Sequence, residues 1–172
     1  MHWTIRSARY GDLDRLPEVE RDAGARFRDV GLPRIAEAAP TPIAQLERAR
    51  GTGLLWIAAD ESDMPVGFVM SSRVPSWIYL AEIAVITRAS GHGIGRSLID
   101  EVKATATREG LLGVVLRTYA QVPWNAPYYV RLGFEELAEA LVPEALIDIP
   151  QREPELGLDP KARLFMAWRA SK

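Results

Sequence analysis

The sequence predicts an α/β fold built on a mixed sheet, and three observations carry that reading. Two apolar runs, LLWIAADE and PVGFVMSSR, flank a polar turn at Ser62 and Asp63 and read as an antiparallel hairpin. The nearly wholly apolar stretch Ser76 to Thr87 runs into a glycine loop, an amphipathic helix and a second apolar strand. Such a strand, helix, strand unit implies parallel pairing through a right-handed crossover. No internal repeat, low-complexity tract or linker divides the 172 residues, so one domain over 1–172 is expected.

The elements follow in chain order. WTIRSAR, Trp3 to Arg9, alternates as an edge or near-edge strand does. Asp12 then caps a helix whose apolar positions Leu13, Leu16, Ala23, Phe27 and Val30 recur at three-four spacing, with Gly31 as its stop. Glu20 interrupts that apolar stripe. A short helix is expected over Thr41 to Ala49, and after the hairpin the apolar run from Ser76 suits a central strand buried on both faces. From Gly95 to about Glu109, Leu98, Ile99, Val102 and Ala106 make a helical stripe, with Arg96, Asp100, Glu101 and Lys103 facing outward. GVVLRTYA returns as a buried strand, and VPWNAPYYVRLGFEEL contains a short helix closed by Gly133, with Phe134 opening a further strand. Positions 143 to 160 hold four prolines, five carboxylates and one arginine, which reads as a long functional or mobile loop. ARLFMAWRA closes the chain as a strand.

Composition excludes several function classes. A net charge of −2 with both signs mixed along the chain gives no footprint for nucleic acid or for an anionic membrane. No apolar segment approaches the roughly 18 residues of a membrane span, and the N-terminal residues lack a secretory pattern, so a cytoplasmic protein is expected. The absence of cysteine removes disulfides, thiolate metal sites and cysteine nucleophiles, and two histidines are too few for a histidine metal site. No metal is expected.

The segment ASGHGIGRSLID, Ala89 to Asp100, carries the chemistry. A glycine-rich turn between strand and helix aims several N–H groups in one direction, and the helix dipole adds partial positive charge there. Such a turn cradles phosphate. A triphosphate loop would need lysine and then serine or threonine after its last glycine; Gly95 is followed by Arg96 and Ser97 at the wrong offset. A dinucleotide loop needs G-x-G-x-x-G, and the registers starting at Gly91 and Gly93 meet Arg96 and Leu98 in the third position.

VITRASGHGIGRSLI resembles the pyrophosphate-binding motif of the GNAT-type N-acetyltransferases, an Arg or Gln followed by x-x-G-x-G and then a helix. The family's valine, its proline and its final two glycines fall on Val85, Thr87, Gly93 and Gly95, while the Arg or Gln position holds Ser90. NAPYYVRLGF is similar to the family's second signature, with Tyr128, Tyr129, Gly133 and Phe134 on the matched positions and Asn125 where alanine is usual. The two signatures occur in order, and the resemblance covers about Trp3 to Phe134. It implies a mixed sheet of about six to seven strands with about four helices, and acetyl-CoA as co-substrate for acetylation of a small-molecule or peptide amine. Among the family's cofactor contacts it places Ile83, Ala84, Val85, Ser90, Gly91, His92, Gly93, Ile94, Gly95, Arg96, Ser97, Asn125 and Tyr129.

Acetyl transfer needs a neutral amine, a polarised thioester carbonyl and a proton for the leaving thiolate. Glu82 shares its strand face with Leu80, Ala84 and Ile86, where burial would raise its pKa and suit it as the base. The structural alternative is an ion pair with Arg117. By resemblance Tyr129 lies near the coenzyme sulfur and can protonate the thiolate; its structural alternative is helix packing. The resemblance implies that the carbonyl meets main-chain N–H groups near Val85. His92 reads as an exposed neighbour of phosphate, and Arg96 as a phosphate contact or a partner of Asp100. The family's acceptor pocket falls on the first helices and the last inter-strand connection, which here supply Glu20, Arg26 and Phe27 and then the loop 143–160, with Arg117 as a further substrate candidate. The loop carboxylates would attract a cationic amine, or Arg26 and Arg117 would hold a carboxylate. A homodimer is compatible with the resemblance, and a non-catalytic acyl-CoA-binding sensor is the alternative function.

Overall fold

A computed structural model describes residues 2–171. Seven strands form one mixed sheet, in the order β1-β2-β3-β4-β5-β7-β6, and six α-helical segments accompany them among the described residues. The chain divides into two compact units. The first takes residues 1–72 and 80–102, the second 73–79 and 103–172.

The first unit opens with β1 (Trp3–Ser7), which is the edge strand and stops two residues short of the predicted end. β2 (Leu55–Asp60) and β3 (Pro65–Val74) form the expected hairpin. β1 and β2 run antiparallel with Trp3 opposite Asp60 and Ser7 opposite Trp56, and β2 and β3 pair from Leu55 opposite Met70, with a bulge at Ala58 and Ala59. The hairpin turn is fixed from within: the Asp60 carboxylate accepts the N–H groups of Ser62 and Met64, and Asp63 takes φ 59°. Asp63 in turn accepts Arg6 Nε at 2.9 Å and Arg9 Nη1 at 2.5 Å.

The helix predicted from Asp12 is broken into three pieces. A 3₁₀ turn covers Tyr10–Arg15, α1 is Leu16–Gly24, and a second 3₁₀ turn covers Ala25–Val30 before Gly31 closes it at φ 75°. Asp12 is not the N-cap but the third residue of the first 3₁₀ turn, where its carboxylate accepts the N–H of the N-cap Arg9 at 2.6 Å and is held in two-pronged fashion by Arg6 at 2.7 and 3.0 Å. Burial alone would raise this carboxyl, but the bonds from Arg6 and Arg9 outweigh it and hold it below the usual range. Of the expected stripe Leu13 and Leu16 are buried, Ala23 and Phe27 only half-buried and Val30 exposed, because the chain leaves α-helical geometry at Ala25; Val19, outside that stripe, is fully buried. α2 (Pro33–Ala36) is a single turn, and α3 (Ile43–Gly51) lies two residues later than expected.

β4 (Trp77–Val85) and α4 (Ile94–Arg108) contribute to both units. Along β4, Trp77, Ile78, Leu80 and Ala84 are buried and the other positions only partly so, less than the two-face burial the composition suggested. In the second unit β5 (Gly113–Tyr119) and β7 (Arg163–Arg169) pair antiparallel over their full length, Gly113 opposite Arg169 and Tyr119 opposite Arg163. α5 (Ala126–Arg131) is the short helix that Gly133 ends at φ 84°. β6 (Glu135–Glu136) begins one residue after Phe134, which is buried instead of leading the strand.

The segment 143–160 is a chain of 3₁₀ turns with one α-helical turn, α6 (Ile149–Arg152), and one of its carboxylates is internal. Leu146 joins Trp77, Val115, Leu137, Phe165 and Ala167 in a buried cluster, so the segment is packed down. Glu153 accepts Arg117 Nε at 2.7 Å and Nη2 at 2.8 Å, and Arg163 Nε at 2.8 Å. Its side chain is 2 % exposed and that of Arg117 6 %. Arg117 also donates to Pro160 O at 3.0 Å. Removing Glu153 would strand two guanidinium groups in a dry environment, so Glu153→Ala is expected to cost about 3–5 kcal/mol in chemical denaturation. A loss below about 0.5 kcal/mol, the usual scale of a surface change, would contradict an internal role for this ion cluster.

Candidate functional site

The end of β4, the glycine loop and the start of α4 lie in the first unit. β4 stops at Val85, Ile86 remains extended at ψ 148°, and Thr87–Ala89 make one 3₁₀ turn. Gly91 at φ 80° and Gly93 at φ 84° occupy the left-handed region, which side chains with a Cβ seldom enter. The first intrahelical bond of α4 runs from Ser97 N to Gly93 O at 3.1 Å. The N–H groups of Ile94, Gly95 and Arg96 precede it and so have no acceptor within the helix. Three donors and the positive end of a fifteen-residue helix therefore face one place, a chemistry suited to a phosphate.

The loop is held at several points. Thr87 N–H donates to Asp22 Oδ1 on α1, and the Thr87 hydroxyl reaches Asp22 O at 3.4 Å. Arg88 lies 3.9 Å from Asp60. The Ser90 hydroxyl folds back onto Ile86 O at 3.3 Å, so the residue in the usual Arg or Gln position serves the turn itself. His92 is exposed, as expected, with Nδ1 at 3.0 Å from Ser90 O, and Arg96 lies 3.9 Å from Asp100.

A residue that sequence reasoning missed supports this loop from below. A Cβ on Gly67 of β3 would meet Ala84 O at 3.0 Å, Val85 Cγ2 at 3.1 Å and Ile94 Cγ2 at 3.3 Å. Glycine is what lets β3 approach both the end of β4 and the first residue of α4. The sequence offered only an isolated glycine within a strand, a sign of close backbone approach.

Glu82 sits half-buried on β4 between the buried Leu80 and Ala84, and Ile83 and Val85 are likewise half-buried. Glu20 is half-buried on α1, where its Oε2 accepts Thr41 N–H at 2.9 Å; burial pushes its carboxyl up, and the bonds from Thr41 offset this only in part. Phe27 follows in the second 3₁₀ turn, also half-buried. A cleft of about 460 Å³ lies beside α1, lined by Arg21, Arg28 and Glu37 with Ala36, Ala38, Ala39 and Pro40.

The other expected residues lie in the second unit. Tyr129 of α5 is buried, its ring edge-on to Tyr128 at 5.8 Å and to Phe134 at 5.6 Å. Asn125 precedes α5; its carbonyl accepts the N–H groups of Tyr128 and Tyr129, and its Oδ1 is buried with no hydrogen-bond partner. Arg117 is the residue whose expected role changes most. The sequence offered Glu82 as its partner or an acceptor carboxylate as its ligand, but its guanidinium is taken up by Glu153 and Pro160 O. Among the described residues no group of three or more His, Asp or Glu could hold a metal, and no helix is long and apolar enough to cross a membrane.

The sequence pattern of the acetyltransferase (GNAT) domain matches residues 51–136, half of the chain, from the hairpin through the glycine loop to β6. The chain belongs to the GNAT acetyltransferase family. Its fold is shared with the PaiA N-acetyltransferase from Thermoplasma acidophilum in complex with coenzyme A, at TM-score 0.71 and 17 % identity over 99 % of this chain and 100 % of that one. It is shared also with the ribosomal-protein-S18-alanine N-acetyltransferase from Escherichia coli, at 0.67 and 20 % over 99 % and 96 %. A Mycobacterium tuberculosis protein, Rv2747, in complex with CoA gives 0.74 and 17 % over 98 % and 99 %. Identities this low carry the GNAT fold and nothing finer.

Two outcomes test the site. Gly67→Ala is expected to cost about 1–3 kcal/mol, because the backbone of β4 must give way to the added methyl; an unchanged denaturation midpoint would show that the close approach is dispensable. The folded protein keeps the Glu20 proton to higher pH than the unfolded chain does, so this group makes stability fall as pH rises. Glu20→Gln is therefore expected to gain on the parent protein as pH rises through the carboxylate range, and parallel stability curves would contradict that sign.

Proposed function

We propose that this GNAT-family protein transfers the acetyl group of acetyl-CoA to a primary amine of a small molecule or peptide, directly within a ternary complex. The observation that carries the reading is the loop geometry. Positive φ at Gly91 and Gly93 leads into the N–H groups of Ile94, Gly95 and Arg96, which have no acceptor within α4, above a strand end brought close by Gly67. A pyrophosphate fits that donor set, which relies on backbone and so tolerates serine at position 90. The loop from Ser90 to Ser97 would hold the pyrophosphate, with Ile83, Ala84 and Val85 along the strand end and Asn125 and Tyr129 toward the thioester arm.

In the reaction the amine nitrogen attacks the thioester carbonyl carbon and the carbon–sulfur bond breaks, giving the acetamide and the free thiol. Glu82 takes the amine proton, directly or through water. Main-chain N–H groups near Val85 stabilise the developing oxyanion. Tyr129 donates its phenolic proton to the departing thiolate. Its buried, edge-on packing supports this role by fixing the ring. Glu20 and Phe27 would face the acceptor. The cleft beside α1 offers arginine and glutamate together, a lining that suits an amine carrying an anionic group.

A thiol-release assay with acetyl-CoA against amines with and without a carboxylate tests the reading. Turnover with at least one amine is expected, and CoA binding without turnover on any would leave a sensor in place of an enzyme. Tyr129→Phe is expected to lower kcat by about 100-fold, the lower end for proton transfer by a positioned side chain, with acetyl-CoA affinity nearly unchanged. Full activity in that variant would remove Tyr129 from the mechanism.

A further inference from the structure

The glycine loop departs from its family's pattern at Thr87, and the departure has a structural use. Proline, which the pattern places there, has no N–H to give. Thr87 gives its N–H to the Asp22 carboxylate, on a helix sixty-five residues earlier in the chain. Upstream, Ile86 at ψ 148° already has the backbone that precedes proline comfortably, so the position accepts either residue and threonine adds a donor. Local bonds, Ala89 N to Ile86 O at 3.0 Å and Ser90 N to Thr87 O at 3.1 Å, fix the shape of the Thr87–Ala89 turn, and the Asp22 carboxylate is the shortest of its ties to other elements, beside the Thr87 hydroxyl to Asp22 O at 3.4 Å and Arg88 to Asp60 at 3.9 Å. α1 also carries Glu20, bound to Thr41 N–H, so two carboxylates of one helix hold the backbone of two other segments of the unit.

We propose that Asp22 is a positioning residue for the coenzyme loop: by accepting Thr87 N–H it ties the loop to α1 and keeps Gly91 to Arg96 aimed at the pyrophosphate. The inference rests on reading that loop as the acetyl-CoA site. Without the tie only a fraction of molecules present the cradle, and apparent affinity falls by that fraction. The sign separates this role from simple electrostatics. Asp22 is an anion in the unit that receives a pyrophosphate, so repulsion alone would make any neutral substitute bind CoA more tightly.

The test is calorimetric titration with CoA of the parent protein, Asp22→Ala, Asp22→Asn, Thr87→Pro and the double variant Asp22→Ala with Thr87→Pro, each with a thermal melt to confirm folding. Asp22→Ala is expected to weaken CoA about 5–10-fold, within the roughly 2–30-fold over which residues without ligand contact shift coupling. Asp22→Asn keeps an acceptor oxygen and is expected to bind at least as well as the parent protein. In the Thr87→Pro background, which has no N–H to anchor, Asp22→Ala is expected to change affinity less than about 2-fold. Equal or tighter binding by Asp22→Ala, or the same loss in both backgrounds, would overturn the assignment while leaving the loop reading intact. Failure of the folded parent protein to bind CoA would overturn both.

Discussion

The N–H groups of Ile94, Gly95 and Arg96 are the constraint around which the first unit is arranged. They cannot bond within α4, and a helix end left without acceptors costs free energy unless water or a ligand satisfies it. Around this open end the structure spends glycine where side chains would be cheaper. Gly91 and Gly93 take torsions that aim the chain into the helix, and Gly67 leaves space for β4 and Ile94 to approach β3. Side chains near the loop are turned to holding it. The Ser90 hydroxyl bonds back to Ile86, and Asp22 and Asp60 engage Thr87 and Arg88. On the proposed reading, a backbone cradle of this kind needs little help from cationic side chains and is compatible with serine at position 90.

The second unit follows a different logic. Its long segment between β6 and β7 is rich in proline and carboxylate, a composition that argues for a solvated loop. Glu153 reverses that expectation by taking Arg117 and Arg163 into one buried ion cluster, and Leu146 adds an apolar anchor. The cluster holds one acid and two guanidinium groups, with Pro160 O taking part of the excess donor capacity. Arg117 is thereby committed to the ion cluster in the protein interior.

The parts of the fold legible in the sequence were those written in local pattern. Alternation and apolar runs marked the hairpin, β4, β5 and β7 to within a few residues, and Gly31 and Gly133 stopped their helices as expected. Three-four spacing could not distinguish an α-helix from a helix flanked by 3₁₀ turns. Asp12 reads as an N-cap from local pattern, while its pairing with Arg6 of β1 and its place at the third position of the 3₁₀ turn are set by tertiary structure. In the site, the glycine spacing was legible and separated phosphate loops of different kinds. The ties that position it were not: Asp22 and Thr87 are sixty-five residues apart, Arg117 and Glu153 thirty-six, and no local rule connects them. Gly67 was visible as a residue and silent as a requirement, since its neighbours come from β4 and α4.

Backbone amide hydrogen exchange with and without acetyl-CoA bears most directly on the loop. If the N–H groups at the start of α4 receive the pyrophosphate, slowing on ligand addition is expected to be largest over residues 91–96 and slight in the β2–β3 hairpin turn. Unchanged exchange over 91–96 under saturating acetyl-CoA, with protection elsewhere, would contradict the assignment of this loop as the coenzyme site.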